Sequence, residues 1–268
     1  MLKTLVHRKV AAGIGLLLLV PALGACGSTA SSTSSSSTAT AATAVLTASA
    51  AASTTSSVTA STCEAATDVD TTGVSASDAG MRAQGAYSSG DYATALVWAQ
   101  AAAAGGDATG QRILGIILLE GLCGETDYAQ ALEVLQASSD AGDMKAPRYL
   151  GRIYAEGLGV TADAATAAAY YQTGVDRGDI SSMIALGDLY VAGSGVAQDY
   201  AKALALYTQA AQRADHVGAS AMTALGRLYE QGLGVTQDLA TAADWYEKAV
   251  AAGDTSAQSD LDRVLALQ

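Results

Sequence analysis

The chain contains no phenylalanine, two histidines and three cysteines in 268 residues, and only 15% of its residues are charged. So few imidazoles and thiols leave little for metal coordination or for a nucleophile–histidine–acid relay. No Ser-x-x-Lys, Gly-x-Ser-x-Gly or glycine-rich phosphate loop occurs either, which removes the local frameworks of serine-nucleophile and nucleotide chemistry. Cations are also scarce. Fourteen Lys and Arg stand against 26 Asp and Glu, a formal charge of −12, whereas a general nucleic-acid binder needs a basic footprint. No catalytic residue, metal or cofactor is therefore expected, and no nucleic-acid partner. What is abundant is alanine. The chain is half hydrophobic by count, a profile that fits close packing of small residues between helices better than aromatic-rich sheets.

The first segment reads as an address. Lys3, His7, Arg8 and Lys9 precede an apolar run from Val10 to Leu23, the charged-then-apolar order of a secretory signal. The run is short for a membrane span, which needs about 20 apolar residues. It ends in Leu23-Gly24-Ala25-Cys26, which resembles the lipobox of bacterial lipoproteins. That resemblance implies cleavage before Cys26 and acylation of its thiol; ordinary signal cleavage with an incidental Cys26 is the alternative. It also implies an outer-membrane destination where the cell has one, because Gly27 rather than Asp follows the cysteine. Removal of residues 1–25 takes away Lys3, Arg8 and Lys9, leaving eleven cationic side chains against 26 acidic ones, a formal charge of −15.

From Ser28 to Thr62 every residue except Val45, Leu46 and Val58 is Ser, Thr or Ala, and none is charged. Such a segment cannot bury enough apolar surface to offset its ordering entropy, so residues 26–63 are expected to form an anchored, disordered linker. A flexible chain of this length spans roughly 30 Å and reaches about 115 Å when stretched. Its hydroxyls could accept O-linked sugars, although low-complexity filler is the simpler reading.

Beyond the linker the sequence repeats. Leu114-Gly115, Leu150-Gly151, Leu186-Gly187 and Leu225-Gly226 recur at spacings of 36, 36 and 39. A second glycine follows each by six residues (Gly121, Gly157, Gly193, Gly232), and an aspartate follows by twelve (Asp127, Asp163, Asp199, Asp238). Twenty residues on come Leu135, Tyr171, Tyr207 and Tyr246. The register breaks once, where the three residues His216-Val217-Gly218 are inserted before the last repeat and read as a loop. Apolar spacing near 3.6 predicts two helices per unit, for example Pro147 to Glu156 and Ala164 to Asp176. Glycine inside a helix costs about 1 kcal/mol against alanine, so its recurrence implies close approach of the partner helix. The aspartates should cap second helices, and Gly142, Gly178 and Gly253 should end helices in the left-handed conformation, the next Asp starting another. Such regular placement reads as capping rather than as a calcium site, and Arg177-Gly178-Asp179 reads as a turn rather than an adhesion motif. Tyr154, Tyr190 and Tyr229 are expected in the core with their hydroxyls on polar partners.

The segment from Arg227 to Asp238, together with Trp245-Tyr246, resembles the Sel1-like repeat, a relative of the tetratricopeptide repeat. The resemblance covers Asp107 to Asp254, and Gly85, Asp91, Ala93, Ala95, Gly106 and Asp107 keep the same offsets upstream. It implies an all-α, right-handed α-α solenoid of about five helical hairpins. Residues 64–106 supply a degenerate first hairpin, residues 107–254 four repeats, and residues 255–268 a capping helix that closes the open apolar end. The resemblance also implies that first helices line a concave groove, where this chain gathers Arg112, Lys145, Arg148, Arg152 and Arg227. Guanidinium forks aligned along a groove could clamp a carboxylate or an acidic peptide. The competing reading is local neutralisation, Arg152 by Glu156 and Arg227 by Glu230.

Without Cys26, two cysteines remain. In an exported protein the pair Cys63 and Cys123 favours a disulfide over two separate thiols. Cys123 also stands where other repeats carry Gly159, Gly195 and Gly234. Closing so long a loop would stabilise by roughly 4 kcal/mol in the entropic picture. The function expected from these features is that of an envelope lipoprotein whose solenoid binds a protein or peptide partner. The rivals are a weak β-lactam or wall-fragment hydrolase, for which His216 is the only general base left after export, and a structural spacer without a ligand. Cysteine-rich relatives of this repeat family linked to penicillins carry paired cysteines in every repeat, and this chain does not.

Overall fold

The structure is a computed structural model, and it describes residues 63, 66, 68–213 and 215–268. The expected leader, the lipidation site Cys26 and the whole Ser/Thr/Ala segment from Ser28 to Thr62 lie outside the described residues. Eleven helices follow in order among the described residues: α1 (Ala76–Ser88), α2 (Tyr92–Ala104), α3 (Ala108–Glu120), α4 (Tyr128–Asp140), α5 (Ala146–Glu156), α6 (Ala164–Asp176), α7 (Ile180–Ala192), α8 (Tyr200–Ala211), α9 (His216–Gln231), α10 (Leu239–Ala251) and α11 (Ala257–Leu265). Each packs on the next, and first helices of neighbouring hairpins also meet, α1 with α3, α5 with α7 and α7 with α9. This is an α-α solenoid of five hairpins with a closing helix.

The repeated sequence positions explain the hairpins. Asp127, Asp163, Asp199 and Asp238 each precede a second helix and accept from a backbone N–H in its first turn, for example Gln130 N at 2.9 Å and Thr241 N at 3.0 Å. Threonines add hydroxyl bonds to Asp163 and Asp238 (2.6 and 2.7 Å), and these bonds hold both carboxyl pKa values below the usual carboxylate range. Gly142, Gly178 and Gly253 have φ of 91°, 85° and 105°, the left-handed region expected for them. Inside the first helices, a β-carbon added at Gly187 would stand 2.6 Å from Cε1 of Tyr207, and Gly151 and Gly226 lie as close to Tyr171 and Tyr246. The helical glycine and the tyrosine twenty residues later are thus one device. The missing side chain lets the ring approach the helix backbone closely.

Three details differ from the sequence expectation. The inserted His216-Val217-Gly218 forms no loop; it extends α9 to 16 residues against 13 for α7, with Asp215 capping Val217 N and Gly218 N. His216 is a first helical residue, not a loop histidine. Finally, Tyr154, Tyr190 and Tyr229 are only half-buried, and no hydrogen bond of their hydroxyls is found among the described residues. The buried rings are Tyr171, Tyr207 and Tyr246, and two of these find acids: Tyr207 donates to Asp188 at 2.6 Å and Tyr246 to Glu230 at 2.7 Å. Tyr154 stacks on Tyr170 instead, with ring centroids 5.5 Å apart.

The closing helix α11 buries Ala257, Leu261 and Val264 against the last repeat and joins the core around Tyr246 and Leu228. Burial of Leu261 and Val264 in this contact is worth roughly 3 to 6 kcal/mol, and the helix covers an end of the core that would otherwise face water.

Candidate functional site

The five basic residues expected on one face separate into three kinds. Arg112 is only 7% exposed and is spent on the scaffold: its Nε donates to Asp143 at 3.0 Å and its Nη2 to Gln84 at 3.0 Å, tying α1 and α3 to the turn before α5. Its charge is consumed by the junction it closes. Arg227 sits at an exposed edge and pairs with Asp260 of α11 at 3.2 Å, not with Glu230, which is held by Arg263 and Tyr246. Arg148 and Arg152 remain on α5, with Lys145 exposed just before it.

Arg148 and Arg152 are one helical turn apart and both line a cleft of about 430 Å³ between α5 and α7, together with Tyr149, Tyr171, Glu156 and Ser181. Arg148 is held by neutral acceptors, the Ser181 hydroxyl at 2.7 Å and the Tyr149 hydroxyl at 2.6 Å, with its guanidinium 4.6 Å from the centroid of the Tyr149 ring. Its nearest acid, Asp179, lies at 3.8 Å and is already engaged as the cap of α7. Arg152 pairs with Glu120 on the preceding repeat, not with Glu156 one turn ahead. Its Nε is enclosed and meets no acceptor among the described residues. Neutralisation of these arginines is therefore real but crosses between repeats, and it leaves donor capacity in the cleft. Burial pushes the Tyr171 hydroxyl up to about 12, so this wall stays neutral at any physiological pH.

Farther along the same row stands Asp188, the residue after the helical glycine where α5 has Arg152. Burial raises its carboxyl pKa against the lowering effect of the Tyr207 hydrogen bond and of the nearby Arg227 charge. A smaller cleft of about 230 Å³ lies beside it, lined by Tyr207, Arg227 and Leu228 among others. The sequence by itself marks none of Tyr149, Tyr171, Ser181 and Asp188 as functional. Their offsets from the repeated glycine are visible in it, but only the packing of neighbouring repeats shows which of them share a cleft.

At the other end, the sulfurs of Cys63 and Cys123 lie 2.03 Å apart, with Cα atoms 4.7 Å apart, joining the segment before α1 to the α3–α4 turn. Among the described residues no group of three or more His, Cys, Asp or Glu is arranged to hold a metal ion.

The Sel1 repeat family model matches residues 79–107, 108–143, 147–179, 180–215 and 219–254. The chain belongs to the Sel1 repeat family. The first matched segment falls on α1 and α2, so the upstream hairpin is a Sel1 repeat in its own right. A solved Sel1 repeat protein from Oxalobacter formigenes is 26% identical over 70% of this chain and 78% of its own, with a TM-score of 0.62. A sel1 repeat protein from Klebsiella pneumoniae subsp. pneumoniae is 23% identical over 70% of this chain and 92% of its own, with a TM-score of 0.51. The second likeness speaks to fold alone. No curated protein matches the chain significantly. Sel1 repeats are protein-interaction repeats, and in this one the first helices α5 and α7 and Tyr171 of α6 form the cleft with two arginines and two tyrosines.

Proposed function

We propose that this Sel1 repeat protein is a cell-envelope lipoprotein that recruits a protein partner through the α5–α7 cleft, where Arg148 and Arg152 receive an acidic side chain of the partner. The carrying observation is the cleft itself: two guanidinium groups one turn apart, beside two tyrosines, in about 430 Å³ of open space, with one enclosed guanidinium N–H lacking an acceptor among the described residues. Arg and Tyr are the residue types that dominate binding energy at protein interfaces, and a planar fork beside an aromatic face reads a carboxylate by geometry as well as charge. The anchoring part of the reading is supported by the charged-then-apolar leader ending in Leu23-Gly24-Ala25-Cys26. Lipidation at Cys26 would hold the solenoid on its linker at the membrane, and an oxidised Cys63–Cys123 pair fits an exported protein.

The test places a photo-cross-linking amino acid at Ala185, on the cleft wall, in intact cells. A discrete protein adduct is expected, and the R148E/R152E protein should lose it while keeping its helical content. An adduct that survives both charge reversals contradicts the cleft reading. Separately, Cys26→Ala should move the protein to the soluble fraction, and persistent membrane association would refute the anchor. Alkylation of the unreduced protein at Cys63 or Cys123 would refute the bond.

A further inference from the structure

The one break in the repeat register has a structural product. Val217, inside the inserted His216-Val217-Gly218 that lengthens α9 at its start, and the preceding Arg213 form one wall of a cleft of about 220 Å³ whose other sides are Met144, Lys145 and Arg148 near α5, with Asp179 and Ser181 at the start of α7. Three cations and one carboxylate meet there, on a chain of formal charge −12. Lys145 has no acid within ion-pair distance among the described residues. Arg148 is bonded to two hydroxyls, and Asp179 beyond it is buried, with one oxygen taken by the Ser182 N–H and hydroxyl at 2.9 and 2.7 Å. Arg213 places Nε and Nη2 on the same Asp215 oxygen, at 3.0 and 2.6 Å, which leaves Nη1 without a bond in that pair.

The register explains what orients Arg213. At two other junctions the residue three before the helical glycine bonds the aspartate 31 residues on, Arg112 to Asp143 at 3.0 Å and Thr223 to Asp254 at 2.6 Å, while Arg148 stops 3.8 Å short of Asp179. In α7 that position is Ile184, so Asp215 receives no such bond and turns to Arg213. This junction therefore lacks the cross-repeat bond that closes those at Asp143 and Asp254. Arg148 and Ser181 line both this cleft and the larger α5–α7 cleft, so the two are neighbours sharing one guanidinium wall.

We propose that the register break builds an anion subsite, formed by Lys145, Arg148 and Arg213, that takes a second carboxylate of an acidic partner peptide whose first carboxylate lies in the α5–α7 cleft. The inference rests on the reading of that cleft as the partner site. A carboxylate fits better than a phosphate because Asp179 and Asp215 already offset part of the positive charge, so the subsite favours a monoanion over a dianion. Its apolar rim, Met144 and Val217, suits the methylenes of a glutamate side chain.

Fluorescence anisotropy of a fluorescein-labelled hexaglutamate peptide with the full chain at about 50 mM salt tests the subsite directly. Saturable binding is expected, weakened about tenfold or more by K145E/R213E and unchanged by R82E, whose guanidinium lies over Trp98 in the first hairpin. Deletion of residues 216–218 should weaken binding to the same degree if the protein folds; the charge variant stands whether or not it does. Absence of saturable binding by the unaltered chain would overturn the subsite, and so would full binding by K145E/R213E. If R148E/R152E abolishes binding while K145E/R213E does not, the subsite falls and the larger cleft survives. Loss of the Ala185 adduct's dependence on Arg148 and Arg152 would instead remove the parent reading. A phosphoserine hexapeptide that binds about tenfold more tightly than hexaglutamate would contradict the carboxylate assignment.

Discussion

The two halves of the solenoid are fastened differently. From α1 to α7 the buried apolar residues fall into separate small clusters, one around Ile113 and Trp98, one around Leu135 and Leu150, one around Tyr171 and Leu186. Charged groups bridge them. Arg112 joins Gln84 to Asp143, Arg152 joins Glu120, and Arg177 donates to the carbonyls of Ser139 and Asp143, both at 2.9 Å. From α7 onward a single apolar core runs from Met183 through Tyr207, Met222, Leu225 and Tyr246 to Val264. Among the described residues no side-chain hydrogen bond links residues 180–212 to residues 216–254. Repeats with the same sequence frame can therefore be joined with a directional polar bond across the junction or, as between residues 180–212 and 216–254, by continuous burial, and polar bonds return where Thr223 meets Asp254 and Arg227 meets Asp260. The insertion sits where the second mode takes over, since apolar packing tolerates an extra turn that a fixed Arg–Asp bond would not. The α5–α7 cleft lies on the polar side of this boundary, where guanidinium groups are already oriented by their scaffold partners, and the smaller cleft with Arg213 and Val217 straddles it.

Breaking the apolar half should have the largest effect. Leu225→Ala removes a buried side chain from the continuous core and is expected to cost about 2 to 5 kcal/mol, read as a lower urea midpoint. Arg112→Met should cost about 3 kcal/mol, because the largely enclosed Asp143 carboxylate loses its charge partner. Its hydrogen-exchange signature should be confined to α1–α5, whereas that of Leu225→Ala should extend from α7 to α11. Equal spread for both variants would erase the distinction between the halves.

Acid gives an intermediate effect. Hydrogen bonds from Thr94, Thr166 and Thr241 lower the pKa of Asp91, Asp163 and Asp238 in the folded chain, and Ser256 and Thr223 lower that of Asp254. Each contributes stability that is present above the unfolded carboxyl pKa and is lost as pH falls through the lower folded value. Melting temperature should hold from about pH 7 to 5 and fall below about pH 4. Asp188 acts in the opposite sense. Its folded pKa is raised by burial, so its unfavourable charge is felt as pH rises through that value. Asp188→Asn should raise stability at about pH 7 and leave it unchanged at about pH 3, since the amide oxygen can still accept from Tyr207. The smallest change is expected from Arg227→Ala, less than about 1 kcal/mol, because the Arg227–Asp260 pair has an arginine side chain that is 58% exposed.

Much of the scaffold is legible in the residues alone. The second helix of the central repeat runs from Ala164 to Asp176 as its periodicity indicates, and the first begins one residue ahead of Pro147. The glycine–tyrosine approach and the aspartate caps are local or fixed-offset relations, which a repeating sequence displays directly. The fate of the arginines is not legible in this way. Arg112 and Arg148 share an offset, yet one is buried and the other lines a cleft, because Arg112 meets Gln84 from α1 while Arg148 meets Ser181 and Tyr149. Pairing at i,i+4 is what a single helix suggests, but Glu120 and Asp260 come from adjacent units, and their proximity depends on how one unit sits on the next. The tyrosine hydroxyls escape the sequence pattern for the same reason: the acids that Tyr207 and Tyr246 meet stand on the facing helix, not at a neighbouring position of their own.

The most direct measurement is hydrogen exchange on the purified protein with and without the partner trapped from Ala185. Added protection should fall on residues 145–156 and 180–185 and leave α10 and α11 unchanged. Protection concentrated on α8 and α10, with none on α5, would place the partner elsewhere and contradict the cleft.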